Sequence, residues 1–205
     1  MKILALDTST PVLSVALIED QVVLSERSAG EITGAQLHGE ALASLVQEIL
    51  QEHSIDKVAV GLGPGPYTGL RTGIALAQAV AFARQVPIVG ISSLLALAHG
   101  FWRRGGEGGV AVLDAKRKEI AWQEFDASRM LNTPTLTKID DIHILKGKTI
   151  VGPAFLTQPS NDLVVHEDFP PSALDIALLS AQGFGESISP LYLRAPDVTP
   201  KDSHA

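Results

Sequence analysis

The chain has 205 residues, 45% of them hydrophobic, a formal net charge of -7 at pH 7 and no cysteine. That length and apolar content support the core of one large domain or two small lobes, and the missing thiols exclude disulfides and thiolate metal sites. The acidic balance argues against the chain by itself being the surface that neutralises a nucleic-acid backbone, which takes clustered Lys and Arg, so a charged partner would have to be shared.

The opening MKILALDTST carries an apolar run too short for a signal peptide. The longest apolar stretch, 73–83, is interrupted by Gln78 and flanked by Arg71 and Arg84, well short of the roughly 20 residues that span a bilayer. The expectation is a cytoplasmic protein with no membrane segment.

In chain order, KILALD, VLSVALIE and QVVLSERS read as three strands of an antiparallel meander, separated by short polar or proline-containing turns. From Leu37 the apolar residues take helical spacing (Leu37, Ala41, Leu42, Leu45, Val46, Ile49, Leu50), with Glu40, Gln47, Glu48 and Gln51 on the opposite face. A strand KVAVGL, a glycine loop, a helix over 68–84, a strand PIVGI and a helix over 92–102 follow. Meander and then alternating helix and strand predict a mixed sheet covered by helices. RRGGEGG, 103–109, is the expected boundary between an N-terminal lobe of 1–103 and a C-terminal lobe of 104–205. Beyond it AVLDAKRKEIAWQEF repeats the opening pattern: a strand ending in Leu-Asp, a five-residue step, a second strand. TPTLTKI, KTIVG and DLVVHED read as further strands, and SALDIALLSAQGFG as a helix with Ser172 as its N-cap.

The stretch GLGPGPYTGLRTGIALAQAVAFAR, 61–84, raises a choice between a phosphate cradle and a close approach of backbones. It matches neither the phosphate-loop pattern G-x-x-x-x-G-K-[ST] nor the dinucleotide fingerprint, since Thr68 stands where the third glycine would be. Pro64 and Pro66 each remove an N–H from the loop, which favours close approach. On the helix, Gly69, Gly73, Ala77 and Ala81 recur every fourth residue and line one face with the smallest side chains. That face admits another backbone, either from the same fold or from a second protein. Arg71 lies in the first turn, where a cation opposes the helix dipole; an acidic partner residue or plain solvent would compensate it.

ILALDTST…SVAL, GLGPGPYTGLRTGIALAQAVAF, PIVGISSLLALA, VLDAKRKEIAW and SPLYLR stand in the order and spacing of the TsaB (YeaZ) family, and the chain resembles that family over nearly its whole length. The resemblance implies an α/β, actin-like (ASKHA) fold with two ribonuclease-H-like lobes, mixed sheets covered by helices. It implies a non-catalytic subunit in the formation of threonylcarbamoyladenosine beside the anticodon of tRNA. Such a subunit pairs with a TsaD-like catalytic paralogue, is joined by a TsaE-like ATPase, meets tRNA indirectly through the complex and forms a homodimer when alone. The implied interface is carried by the helices at about 36–53 and 68–84: Leu42, Leu45, Ile49, Gly69, Arg71, Gly73, Ala77 and Ala81.

The catalytic paralogue holds a metal with His-x-x-x-His on one helix; here His38 is followed four residues later by Leu42, so no metal is expected. No cofactor is expected on this chain, ATP and metal belonging to the partner subunits. Asp7, Thr8, Ser9 and Asp114 fall where the superfamily organises metal and phosphate, as a vestigial nucleotide site, but DTSTPVL lacks the glycine of that loop and VGPAF carries Pro153. The plainer role for each aspartate is to cap its own turn. The rival readings are an actin-like ATPase using Asp7 and Asp114, and a metallopeptidase. Lys116, Arg117 and Lys118, with Arg103 and Arg104, read as a solvated hairpin tip or a supporting tRNA contact.

Overall fold

The structure, a computed structural model, describes residues 1–30, 35–51, 53–153, 164–167 and 169–194, with the backbone alone at 35–38 and 164–167. The three opening strands form as expected: β1 Lys2–Asp7, β2 Leu13–Glu19 and β3 Val22–Ala29. Helix α1, Ala35–Leu50, precedes β4, Lys57–Gly61. Helix α2, Tyr67–Arg84, follows the glycine loop, then β5, Ile88–Ile91, and α3, Ser93–Arg103. The second half supplies β6 Gly109–Lys116, β7 Glu119–Phe125, β8 Thr135–Lys138, a 3-10 helix at Ile139–Leu145, β9 Thr149–Val151, β10 Val164–Glu167 and α4 Ala173–Ala181. Ser172 caps α4 as predicted, its side chain accepting from the Leu174 N–H.

One sheet runs β3-β2-β1-β4-β5 and the other β10-β9-β6-β7-β8. Taken from the opposite edge the second order is the first again: an antiparallel meander, then two strands parallel to its first member. The repeat in the sequence is therefore a repeat of topology. Two such mixed sheets, each covered by helices, make the actin-like α/β fold.

Alternation along the strands gives each sheet two apolar faces. Leu4 and Leu6 point to a core with Leu42, Val46 and Ile49 of α1 and Ile74, Ala77 and Ala81 of α2. Ile3 and Ala5 point the other way, to Leu174, Ile176 and Ala177 of α4. On β6, Ala111 and Leu113 meet Leu94, Leu97 and Phe101 of α3, while Val110 and Val112 meet Ile142 and Leu145 of the 3-10 helix. The strands of the two sheets divide between Ile91 and Gly109, but the helices cross: α3 follows the first sheet and packs on the second, and α4 does the reverse.

Where α3 meets α4, Asp175 is buried and accepts from Arg103 Nε at 2.7 Å, with His99 Nδ1 also at 2.7 Å. Arg103 is thereby part of the joint between lobes rather than of the basic hairpin tip. The C-terminal segment also crosses: the Leu191 N–H donates to the Leu62 carbonyl, and Arg194 pairs with Glu119.

Candidate functional site: a sealed turn and an open cleft

Asp7 ends β1 and is fully buried. Its Oδ1 accepts from the Ser9 N–H at 2.9 Å and the Ser9 hydroxyl at 2.6 Å; its Oδ2 accepts from the Ser93 hydroxyl at 2.7 Å. Burial pushes the Asp7 carboxyl above its ordinary value of 3.8, against the pull of the Ser9 and Ser93 hydrogen bonds. The carboxylate caps its own turn and ties β1 to the start of α3.

The glycines explain how a turn can be buried so tightly. A Cβ on Gly61 would lie 1.9 Å from Asp7 Oδ2, one on Gly65 2.4 Å from the Ser9 carbonyl oxygen, and one on Gly73 2.3 Å from Thr8 Oγ1. A Cβ on Gly69 would meet the Thr8 carbonyl at 2.9 Å, and the Thr8 hydroxyl donates to the Gly69 carbonyl at 2.9 Å. The loop and the first turns of α2 make a close approach to residues 7–9: Gly65 and Gly69 admit the backbone of Ser9 and Thr8, and Gly61 and Gly73 the side chains of Asp7 and Thr8.

The small-residue stripe follows suit. Gly73, Ala77 and Ala81 are buried, with Thr8 and the first-sheet core filling the space beside them. Leu42 and Ile49 of α1 are likewise core residues, and Leu45 is half-buried against them. Of the expected interface set, Leu42, Ile49, Gly73, Ala77 and Ala81 are thus buried within this chain, where their smallness or apolar character is used inside the fold. The other side of α2 is open: Arg71, Ala75, Gln78, Ala79, Phe82 and Ala83 are exposed or half-exposed, Phe82 at 87%.

Arg71 finds a partner that neither expectation included. Its guanidinium carbon lies 3.8 Å from the centroid of the Tyr67 ring, and its Nε donates to the Tyr192 hydroxyl at 3.0 Å. Tyr67 and Tyr192 are themselves stacked, ring centroids 5.1 Å apart. The signal in the sequence is faint, an i, i+4 Tyr-Arg pair and a tyrosine 121 residues away.

Asp114 stands at the matching place in the second half but is not sealed. It accepts from the Lys116 N–H at 2.7 Å and holds the Lys116 ammonium at 2.7 Å, the hairpin-cap role. Asp7 and Asp114 are thus each occupied by their own turns. Among the described residues no group of three or more metal-ligating side chains occurs; the His38 side chain lies outside them, as does VGPAF beyond Pro153. No helix among the described residues is long and apolar enough to cross a membrane.

Residues 28–182 match the family model described as TsaD: tRNA N6-adenosine threonylcarbamoyltransferase. The tRNA threonylcarbamoyladenosine biosynthesis protein TsaB of Escherichia coli is 37% identical over 131 residues, covering 61% of this chain and 55% of that protein. An uncharacterized protein of Mycobacterium tuberculosis (strain H37Rv) is 32% identical over 213 residues, covering 97% of this chain and 94% of its own length. The solved structure of YeaZ from Pseudomonas aeruginosa superposes with a TM-score of 0.75 at 27% identity, over 94% of this chain and 99% of that one. The match thus spans about half the length of the Escherichia relative and nearly all of the other two. The repeated sheet order, the glycine-seated turn and these likenesses agree: the chain belongs to the TsaB (YeaZ) family.

Proposed function

We propose that this chain is a non-catalytic subunit of the assembly that forms N6-threonylcarbamoyladenosine beside the anticodon in tRNA. It docks a TsaD-like catalytic paralogue, a TsaE-like ATPase joins the pair, and ATP and metal are held by those partners. The relatives' names support the pathway. The observation that supports the non-catalytic role is the Asp7 turn, where the chain's own Ser9, Ser93 and Thr8 take up the carboxylate and the space beside it.

Docking falls to the solvent face of α1 and α2. Phe82 stands out from α2 beside a groove of about 610 Å³ lined by Gln78, Ala83, Gln85, Val86 and Ile88. A second, smaller groove of about 290 Å³ runs between the helices past Ala43, Val46, Leu50 and Arg84. An exposed aromatic side chain flanked by alanines near the end of α2 is the form of an interface anchor: much area, few rotamers.

Co-purification of the wild-type chain with a TsaD-like subunit, compared with Phe82→Glu, tests the reading. The expected result is a folded variant, its stability changed by no more than about 0.5 kcal/mol, that no longer forms the complex. A folded Phe82→Glu that associates as wild type places the interface elsewhere. A charge placed at Ala77 would test folding instead, because Ala77 is buried.

A further inference from the structure

The two sheets are fastened to each other at two places, and the fastenings are unlike. At the back is the joint of α3 and α4, whose apolar residues are buried on both sheets. Inside it Asp175, 1% exposed, is held by Arg103 and His99. Drawing these helices apart would uncover apolar area and strand a buried carboxylate, so this joint can bend but does not part. Among the described residues no strand of one sheet packs on a strand of the other, which leaves the front to the C-terminal segment.

That segment, 186–194, is held to the first sheet by its backbone and its apolar side chains. Glu186 and Gly90 exchange both backbone hydrogen bonds, at 2.9 and 3.0 Å, along the outer edge of β5. Ile188 and Leu191 pack on the first-sheet core, and the Leu191 N–H donates to the Leu62 carbonyl at 2.9 Å. Tyr192 lies on Tyr67 and accepts from Arg71. Two residues further on, Arg194 reaches the second sheet and pairs with Glu119, the first residue of β7.

This ion pair is the weaker grip. The Arg194 and Glu119 side chains are 33% and 21% exposed, so water competes for both and dissolved ions screen them. Release strands neither charge: Lys138 stands opposite Glu119 across the β7–β8 ladder, and a freed guanidinium is hydrated. Behind the pair lies a cleft of about 530 Å³, with Pro66 and Tyr67 on one wall and Arg117 and Leu136 on the other. Opening the front therefore breaks up no packed core at that place.

We propose that residues 186–194 are a latch. The Arg194–Glu119 pair holds the front of the cleft shut, and its release lets the second sheet swing away from the first about the α3–α4 joint while the segment stays on the first. The width of the cleft then responds to ionic strength and to charge at position 194. The inference uses this chain's own contacts alone and is independent of its being a subunit of any assembly.

Single-molecule fluorescence energy transfer tests it, because the full chain has no native cysteine and takes dyes only at Val22→Cys on β3 and Asp141→Cys in the 3-10 helix. At low salt one transfer efficiency should dominate. Arg194→Glu, which sets two acids together, should raise a second population of shifted efficiency about three- to five-fold, and about 1 M sodium chloride should do the same to the unsubstituted latch. Glu119→Arg alone should behave as Arg194→Glu does, and the two combined, which restore an opposite pair, should return the original distribution. The proposal is overturned by a folded Arg194→Glu whose distribution is unchanged, by an unsubstituted latch that salt does not move, or by a double variant as open as either single one.

Discussion

The two halves of the chain carry the same Leu-Asp dipeptide at or near the end of their first strands and build sheets of the same order, yet the turns there have opposite fates. At Asp7 the turn is swallowed: residues 7–9 are buried against Gly61, Gly65, Gly69 and Gly73. At Asp114 the turn stands in the cleft, with Lys116, Arg117 and Lys118 exposed. The difference teaches that the topology does not decide what a strand-end aspartate does. In the first half, Gly61, Gly65, Gly69 and Gly73 are spaced to admit residues 7–9, and the space beside Asp7 is filled by the protein itself.

The largest effect is expected where the seal is tightest. Gly73→Ala pushes a methyl to 2.3 Å from Thr8 Oγ1, and despite alanine's better helix propensity it should destabilise by about 2 kcal/mol in urea unfolding. Thr8→Ala in the same chain removes the offending atoms and should restore a good part of that loss; strictly additive effects would break the account of the stripe.

Asp7→Ala comes next, at about 2 kcal/mol or slightly less, because three donors lose their acceptor inside the core while the cost of burying the carboxyl is relieved. Asp7 also has a pH signature. Its folded carboxyl titrates above 3.8, so the protonated form's advantage is complete below the unfolded value and is lost as pH rises through the folded one. Wild type should therefore lose stability relative to Asp7→Asn as pH climbs from about 4. A wild type that gains instead means that the Ser9 and Ser93 hydrogen bonds outweigh burial and pull the carboxyl below its ordinary value. At the open turn the same change is mild: Asp114→Ala should cost under about 1 kcal/mol, losing a half-exposed ion pair and a turn cap.

Much of this fold is legible in local pattern. Alternation marks the strands, the 3.6-residue period marks α1, and the Leu-Asp repeat anticipates the second sheet. The 3-10 helix at Ile139–Leu145 is not legible, since so short a segment with adjacent Asp140 and Asp141 has no period to read. Nor is the exchange of α3 and α4 between the sheets, because an amphipathic helix declares that it will be covered and not by which sheet. The site divides in the same way. Gly69, Gly73, Ala77 and Ala81 announce a close approach, but spacing cannot say whether the visitor is Thr8 or another protein. His99 and Asp175 meet across 76 residues and Arg71 meets Tyr192 across 121, distances at which no local signal operates.

Native-state amide hydrogen exchange at Ser9 and Lys116 tests the sealed turn most directly, because each N–H donates to the aspartate two residues before it. The Ser9 amide should exchange as slowly as the most protected amides of the β1 core, while the Lys116 amide exchanges quickly through local fluctuation. A Ser9 amide that exchanges as fast as that of Lys116 would mean that the first turn opens to solvent and that Asp7 is not sealed.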